Sequence, residues 1–118
     1  MFPVTRVYSD RNGDTRFEEI TVPLNDAGEI GKLSDPLTVK SIIFREVDAS
    51  YNYDFHNAPQ KQYLVLIDGG IEIETTLGEK RQFHPGDVLL LEDTGGKGHR
   101  TRNLEPRKRR SVFITLPD

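Results

Sequence analysis

Short apolar or alternating runs, broken by glycine and proline turns, fill the middle of this 118-residue chain. Between His56 and Asn103 the runs are Tyr63 to Ile67, Ile71 to Thr76 and Val88 to Leu91. No window carries an apolar stripe of helical period. Short strands separated by such turns are typical of all-β sandwiches and barrels. We therefore predict an all-β protein.

Side-chain alternation indicates how the predicted strands are buried. Ile71 and Ile73 alternate with acidic neighbours, which predicts one inner and one wet face. Tyr63 to Ile67 is almost continuously apolar, which predicts a strand buried on both faces. Further strands are predicted at Phe17 to Leu24, Val39 to Val47 and Ser111 to Leu116, the last with Val112, Ile114 and Leu116 on one face.

Length and composition narrow the class of protein. A chain of 118 residues suits one domain, and we expect residues 1–118 to form it. The absence of cysteine excludes disulfides, thiolate metal ligands and a cysteine nucleophile. The net charge of −3 argues against a nucleic-acid partner. No apolar run approaches the ~18 residues of a membrane span, and no secretory signal is visible, so we expect a cytoplasmic location and no membrane partner.

Landmarks between His56 and Asn103 fall in the order of a known family pattern. His56 and Gly69 match the first histidine and closing glycine of one motif, and a Pro85-Gly86-Asp87 turn followed by His99 and Asn103 matches a second. On these residues the chain resembles the cupin superfamily. The resemblance implies a single-domain jelly-roll β-barrel with its core at about residues 39–116. It also implies a homodimer, with the N-terminal strands within residues 1–27 as candidates for the interface.

The departures from the family pattern bear on metal binding. Ala58 stands where the family has a second histidine, and Gln62 stands where it has a glutamate. The resemblance therefore implies a reduced ligand set of His56, Gln62 and His99 for a divalent ion such as Fe, Mn, Ni or Zn. Two imidazoles and an amide make a weaker site than a set that includes a carboxylate.

Two adjacent acids precede the glycine-rich loop before His99. Glu92 or Asp93 could supply the missing carboxylate, or could move protons as a catalytic group, if the loop folds inward. The other interpretation is a solvated strand end. Flexibility of the loop itself is the better account of its glycines, because it lacks the spacing of a phosphate-binding loop.

Several other side chains have two interpretations. Tyr53, Ala58 and Asn103 are predicted to line a pocket at the mouth of the barrel. The aromatic ring of Tyr53 could equally fill the core or a dimer interface. His84 is expected to be exposed in its turn. The run Arg107 to Arg110 is expected to be a solvated turn, with an anionic ligand or partner as the alternative.

Three functional classes remain open. The stretch also resembles small uncharacterised cupins that share His-x-Ala-Pro-x-x-Gln and Glu-Asp-Thr-x-Gly-x-Gly-His, which implies a fold and a site but no reaction. The first class is a metal-dependent enzyme on a small organic substrate, of dioxygenase, isomerase or lyase type. The second is a metal-free module that binds a small molecule, and the third is a structural or regulatory partner. The surviving histidine pair favours the first class by a small margin.

Overall fold

The computed structural model describes all 118 residues. Its regular secondary structure is β-strand except for one short 3₁₀ turn. The strands are β1 (Phe2–Ser9), β2 (Thr15–Val22), β3 (Asn25–Asp26), β4 (Lys32–Leu33), β5 (Ser41–Val47), β6 (Asn52–His56), β7 (Gln62–Leu66), β8 (Ile71–Thr75), β9 (Lys80–Phe83), β10 (Val88–Leu91), β11 (His99–Asn103) and β12 (Arg109–Thr115). The one helical element, the 3₁₀ turn Gly28–Ile30, is too short to cross a lipid bilayer.

Two sheets face each other across the core. The larger sheet has the order β2-β1-β10-β7-β12-β5, and the smaller has the order β6-β11-β8-β9. All neighbours pair antiparallel except β1 with β10, which run parallel. The predicted all-β, jelly-roll class is confirmed, but the sheets form a jelly-roll-like sandwich and do not close into a barrel.

Alternating side chains build the core between the sheets. On β8 the predicted alternation holds, because Ile71 and Ile73 are almost fully buried and their acidic neighbours are not. On β7 only alternate residues such as Leu64 and Leu66 are buried, so the prediction that this strand is buried on both faces is wrong. Val7 of β1 is also fully buried, which extends the core beyond residues 39–116.

The two ends of the sandwich differ. At one end β2 and β9 meet through Phe17 and Phe83, whose ring centroids lie 6.2 Å apart, and Arg81 bonds Glu19 at 2.7 Å. At the other end β5 and β6 are edge strands with exposed apolar side chains, including Ile43 and Tyr53. This end of the sandwich is open, and a cavity between the two sheets lies there.

The N-terminal strands belong to the larger sheet of the same chain. β1 pairs with β10 and β2 forms the far edge. Every residue from 28 to 44 is exposed, including the β3–β4 ribbon's second strand and the start of β5. The predicted homodimer interface in residues 1–27 stays a prediction.

Candidate functional site

A cavity of about 400 Å³ lies between the sheets at the open end. Its walls are mainly apolar and come from both sheets, whereas its polar groups are few and lie close together. A mostly apolar concave site with a few converging polar groups is the usual form of a small-molecule site. The apolar lining residues on β5, β7, β8, β10 and β12 are Ile43, Leu64, Ile71, Ile73, Leu91 and Phe113.

Two histidines meet inside this cavity. β6 ends at His56 and β11 begins at His99, and the antiparallel pairing of these strands makes the two residues direct partners. Their ring centroids lie 4.6 Å apart, and the ring of Tyr53 packs on His56 at 3.9 Å. The structure therefore brings together two residues that are 43 positions apart in sequence, at the place where the family resemblance expected a site.

A buried carboxylate binds the Nδ1 side of the His99 ring. Asp93 is fully buried, and its Oδ2 pairs with Nδ1 of the His99 imidazole. The backbone carbonyl of Asp93 accepts hydrogen bonds from the Ala58 amide at 3.1 Å and from Asn57 Nδ2 at 3.2 Å, which anchors this turn. An imidazole that donates Nδ1–H to a carboxylate keeps its Nε2 lone pair free to accept a proton or bind an ion.

His56 is held in a similar way. Its Nδ1 lies 2.8 Å from the carbonyl oxygen of Asp54, so its Nε2 is also left unengaged by the protein. Burial lowers the pKa of His56 below its usual value of 6.5, and the nearby His99 lowers it further. His56 is therefore mainly neutral at pH 7.

The glycine-rich loop fixes the position of His56. Gly98 has φ +76°, and a Cβ placed on it would lie 2.3 Å from the His56 carbonyl oxygen. Asn57 Nδ2 donates to the carbonyls of Gly95 and Gly96, which ties the loop to the end of β6. Gly98 thus allows a close approach of two backbones beside the site.

The other predicted site residues divide into two groups. Gln62, Tyr53 and Ala58 line the cavity, and Gln62 makes no side-chain hydrogen bond within the protein. Glu92 does not enter the cavity, because it points away from Asp93 and pairs with Arg6, with Lys61 further off at 3.8 Å. Glu92 and Asp93 follow the end of β10, and their side chains lie on opposite sides of the chain, one paired with Arg6 and the other with His99.

Asn103 lies outside the cavity as well, although it was predicted to line it. Its amide donates to the carbonyls of Asp48 and Ala49 at 3.1 and 3.3 Å. Its Oδ1 accepts a bond from Arg109 Nε at 2.9 Å. Asn103 therefore joins the chain segment before β6 to the large sheet.

The donor set around the histidines fits a divalent ion only in part. The two imidazoles fit, because each has its Nδ1 on an oxygen acceptor, as metal-bound histidines usually do. The predicted set of two histidines and one carboxylate is not formed, since Glu92 bonds Arg6 and Asp93 bonds His99 Nδ1. No group of three or more histidine, aspartate or glutamate side chains is placed to share an ion.

Sequence reasoning missed two arginines near the cavity. Arg45 of β5 lines it directly. Arg109 of β12 is only 1% exposed, although its run was expected to be a solvated turn. Arg109 has the same strand parity as Phe113, and both face inward, but apolar residues lie at both parities of β12, so the sequence alone did not identify this face.

No protein-family model matches the sequence, and no curated protein matches it significantly. Among solved structures, the chain is similar to protein NMB1881 from Neisseria meningitidis, with 14% identity over 64% of this chain and 72% of that one and a TM-score of 0.46. It is also similar to the capsular polysaccharide assembling protein CapF from Staphylococcus aureus, with 11% identity over 83% of this chain, 30% of CapF and a TM-score of 0.48. A third similar structure is a Salmonella typhimurium protein named for ethanolamine utilization (EutQ), with 15% identity, coverage of 99% and 97%, and a TM-score of 0.41.

Proposed function

We propose that the cavity binds a small organic molecule and that His99 transfers a proton to or from it. The observation that carries this proposal is the buried Asp93 carboxylate on His99 Nδ1, beside a neutral His56 in a mainly apolar cavity. A histidine oriented by a buried carboxylate is a common arrangement for acid–base catalysis.

His99 serves as both proton acceptor and proton donor in the proposed reaction. A substrate C–H or O–H proton passes to His99 Nε2, and Asp93 stabilises the resulting imidazolium without taking the proton. In an isomerisation the same proton returns to another atom of the substrate. In a dehydrating lyase reaction it joins a hydroxyl group whose C–O bond breaks, and the two leave together as water. His56, held neutral with its Nδ1–H on the Asp54 carbonyl, can accept a hydrogen bond from a substrate hydroxyl group at Nε2, while Asp93 acts as a positioning residue.

A divalent metal ion is the second candidate, and the two engaged Nδ1 atoms favour it. His56 and His99 would hold the ion through Nε2, with Gln62 as an available oxygen ligand. Such an ion would polarise a substrate oxygen. A cavity that binds small molecules without catalysis is the remaining alternative.

Deuterium exchange tests the proton-transfer proposal. Chelator-treated protein in D₂O is mixed with pyruvate or acetone, and loss of the methyl proton signal is followed by NMR. We expect exchange at about 10²-fold or more over buffer, lost in His99→Gln, reduced in Asp93→Asn and unchanged in His84→Gln, whose ring is exposed in a distant turn. Exchange that survives His99→Gln, or no exchange of either probe, would contradict the proposal.

Elemental analysis separates the two candidates. The protein is purified without chelator beside a His56→Ala/His99→Ala double variant and the same His84→Gln control. About one transition-metal ion per chain, lost only in the double variant, would support the second candidate. Protein that stays metal-free after incubation with iron, manganese, nickel and zinc salts would remove it.

A further inference from the structure

Two arginines beside the cavity have no carboxylate partner. Seven of the ten arginines form ion pairs with aspartate or glutamate, and Arg11, which does not, is exposed at a turn. Arg45 and Arg109 are the two unpaired arginines that are withdrawn from water. Charges removed from water are normally paired in proteins, so this pattern needs a cause.

Strand geometry places both side chains on the inner face of the larger sheet. Arg45 of β5 lies opposite Ser111 of β12, two residues along from Arg109. Both guanidinium groups lie over the ring of Tyr51, at 5.7 Å for Arg45 and 5.3 Å for Arg109. The two positive charges therefore share one corner of the molecule.

The protein leaves part of their hydrogen-bonding capacity unused. Arg109 Nε donates to Asn103, but its Nη1 and Nη2 are buried without a partner. Arg45 Nε donates to Ser111 Oγ at 3.1 Å, and its guanidinium lies 4.4 Å from the centre of the Phe113 ring. Burial lowers the pKa of both, that of Arg109 to about 10, and the charge on Arg45 adds to the effect at Arg109.

Arg45 is also close to the histidines. It lines the same cavity as His56 and His99, and its charge contributes to the lowered pKa of His56. No aspartate or glutamate lines this cavity. The lining therefore combines apolar walls with a positive group that lacks an acidic partner.

We propose that the cavity recognises its ligand by a carboxylate group, which binds Arg45 while Arg109 reinforces the positive potential behind it. The planar guanidinium fork matches a carboxylate in a two-point contact. The apolar remainder of the ligand then lies over Ile43 and Phe113 and extends towards the histidine pair. This inference rests on the proposed function of the same cavity and narrows its ligand to small organic acids. A phosphate site would draw on several backbone N–H groups, whereas this one offers guanidinium donors beside apolar walls.

Benzoate and benzamide test the proposal because they have nearly the same shape and only benzoate is charged. Binding is measured by calorimetry and by NMR signals of the arginine Nε–H groups. We expect saturable benzoate binding, with benzamide weaker by about tenfold or more. Arg45→Gln should weaken benzoate binding by about tenfold or more and leave benzamide unchanged. Arg81→Gln is the matched control, since Arg81 pairs with Glu19 at the closed end.

Several outcomes would overturn the proposal. They are equal binding of the two compounds, benzoate binding that Arg45→Gln does not weaken, no saturable benzoate binding, and tighter binding of inorganic phosphate than of benzoate. If Arg45→Gln does not fold, Arg45→Lys replaces it and should show a smaller loss, because lysine keeps the charge without the fork.

The same experiment stays separate from the test of proton transfer. Benzoate has no acidic C–H group, and its binding should persist in His99→Gln. Benzoate binding that depends on Arg45, together with no deuterium exchange, would retain the carboxylate site and remove the proton-transfer proposal. Deuterium exchange that depends on His99, without benzoate binding, would retain the proton-transfer proposal and remove the carboxylate site.

Discussion

At the scale of single residues, the site depends on a few positions where the chain has little freedom. Asp93 is buried to hold one imidazole, and Gly98 lets the following strand begin against the backbone of His56. Neither role depends on exposure to the ligand. Residues of this kind shape the site by holding other residues in place. We therefore expect their substitution to lower the free energy of unfolding.

Gly98→Ala should destabilise the fold by about 2 kcal/mol or more. The new methyl group would meet the His56 carbonyl oxygen at 2.3 Å, in a left-handed backbone conformation that costs any other residue energy. Gly95→Ala is the matched control, because no atom lies within 4 Å of its Cβ position and its φ is not positive. Urea unfolding measures both, and equal stability of the two variants would show that the contact at Gly98 is not as described.

Sequence reasoning found the histidines and missed the arginines for a physical reason. His56 and His99 carry a spacing pattern relative to Gly69 and a Pro-Gly turn, which the sequence displays directly. The burial of Arg109 depends on which face of β12 turns inward, and the strand offers apolar residues at both parities. Val112 and Ile114 suggested one face, whereas Ser111 and Thr115 fill the more buried one. Pairing with β5 and β7 settles that choice, and pairing is not visible in one strand.

At the scale of elements, β7 shows how an apolar run can mislead. Its continuous hydrophobicity predicted burial on both faces, yet only one face packs in the core and the other is half-buried. Glu92 and Asp93, just after β10, show that one position along the chain can reverse the direction of a side chain. Glu92 forms an ion pair with Arg6 on the outside, whereas Asp93 is fully buried. The existence of these strands was predictable, but the facing of individual residues was not.

Leu66→Ala and Val65→Ala measure this asymmetry on β7. Leu66 is 1% exposed in the core cluster, and its truncation should cost about 2–5 kcal/mol of unfolding free energy. Truncation of Val65, on the half-buried outer face, should lower the free energy of unfolding clearly less. Urea denaturation of the two variants gives the comparison. Similar losses at both positions would mean that the outer face of β7 is covered in solution.

At the scale of the whole molecule, the apolar surface is unevenly distributed. Phe44 on the free edge strand β5 is 77% exposed, and Ile42 is 55% exposed. Edge strands with exposed apolar side chains tend to pair with another chain. The family resemblance independently predicted a homodimer.

We predict that the protein is a homodimer with β5 in its interface. Light scattering after size exclusion should give twice the chain mass of 13.4 kDa. Phe44→Arg should shift the protein towards the monomer, because it places a charge on the exposed strand. Leu77→Arg is the control, since Leu77 is also exposed but lies in the turn between β8 and β9. A monomer at micromolar concentration would remove the prediction.

The cavity draws its lining from both sheets, with the histidines on the smaller one and Arg45 on the larger. A compound that contacts both the histidines and Arg45 therefore connects the two sheets. Because it binds only the folded protein, its binding raises the free energy of unfolding. At a concentration of 100 times its Kd the gain is about 2.7 kcal/mol, which shifts a melting curve visibly. The native ligand can thus be sought by heating the protein with one organic acid after another, before any reaction is known.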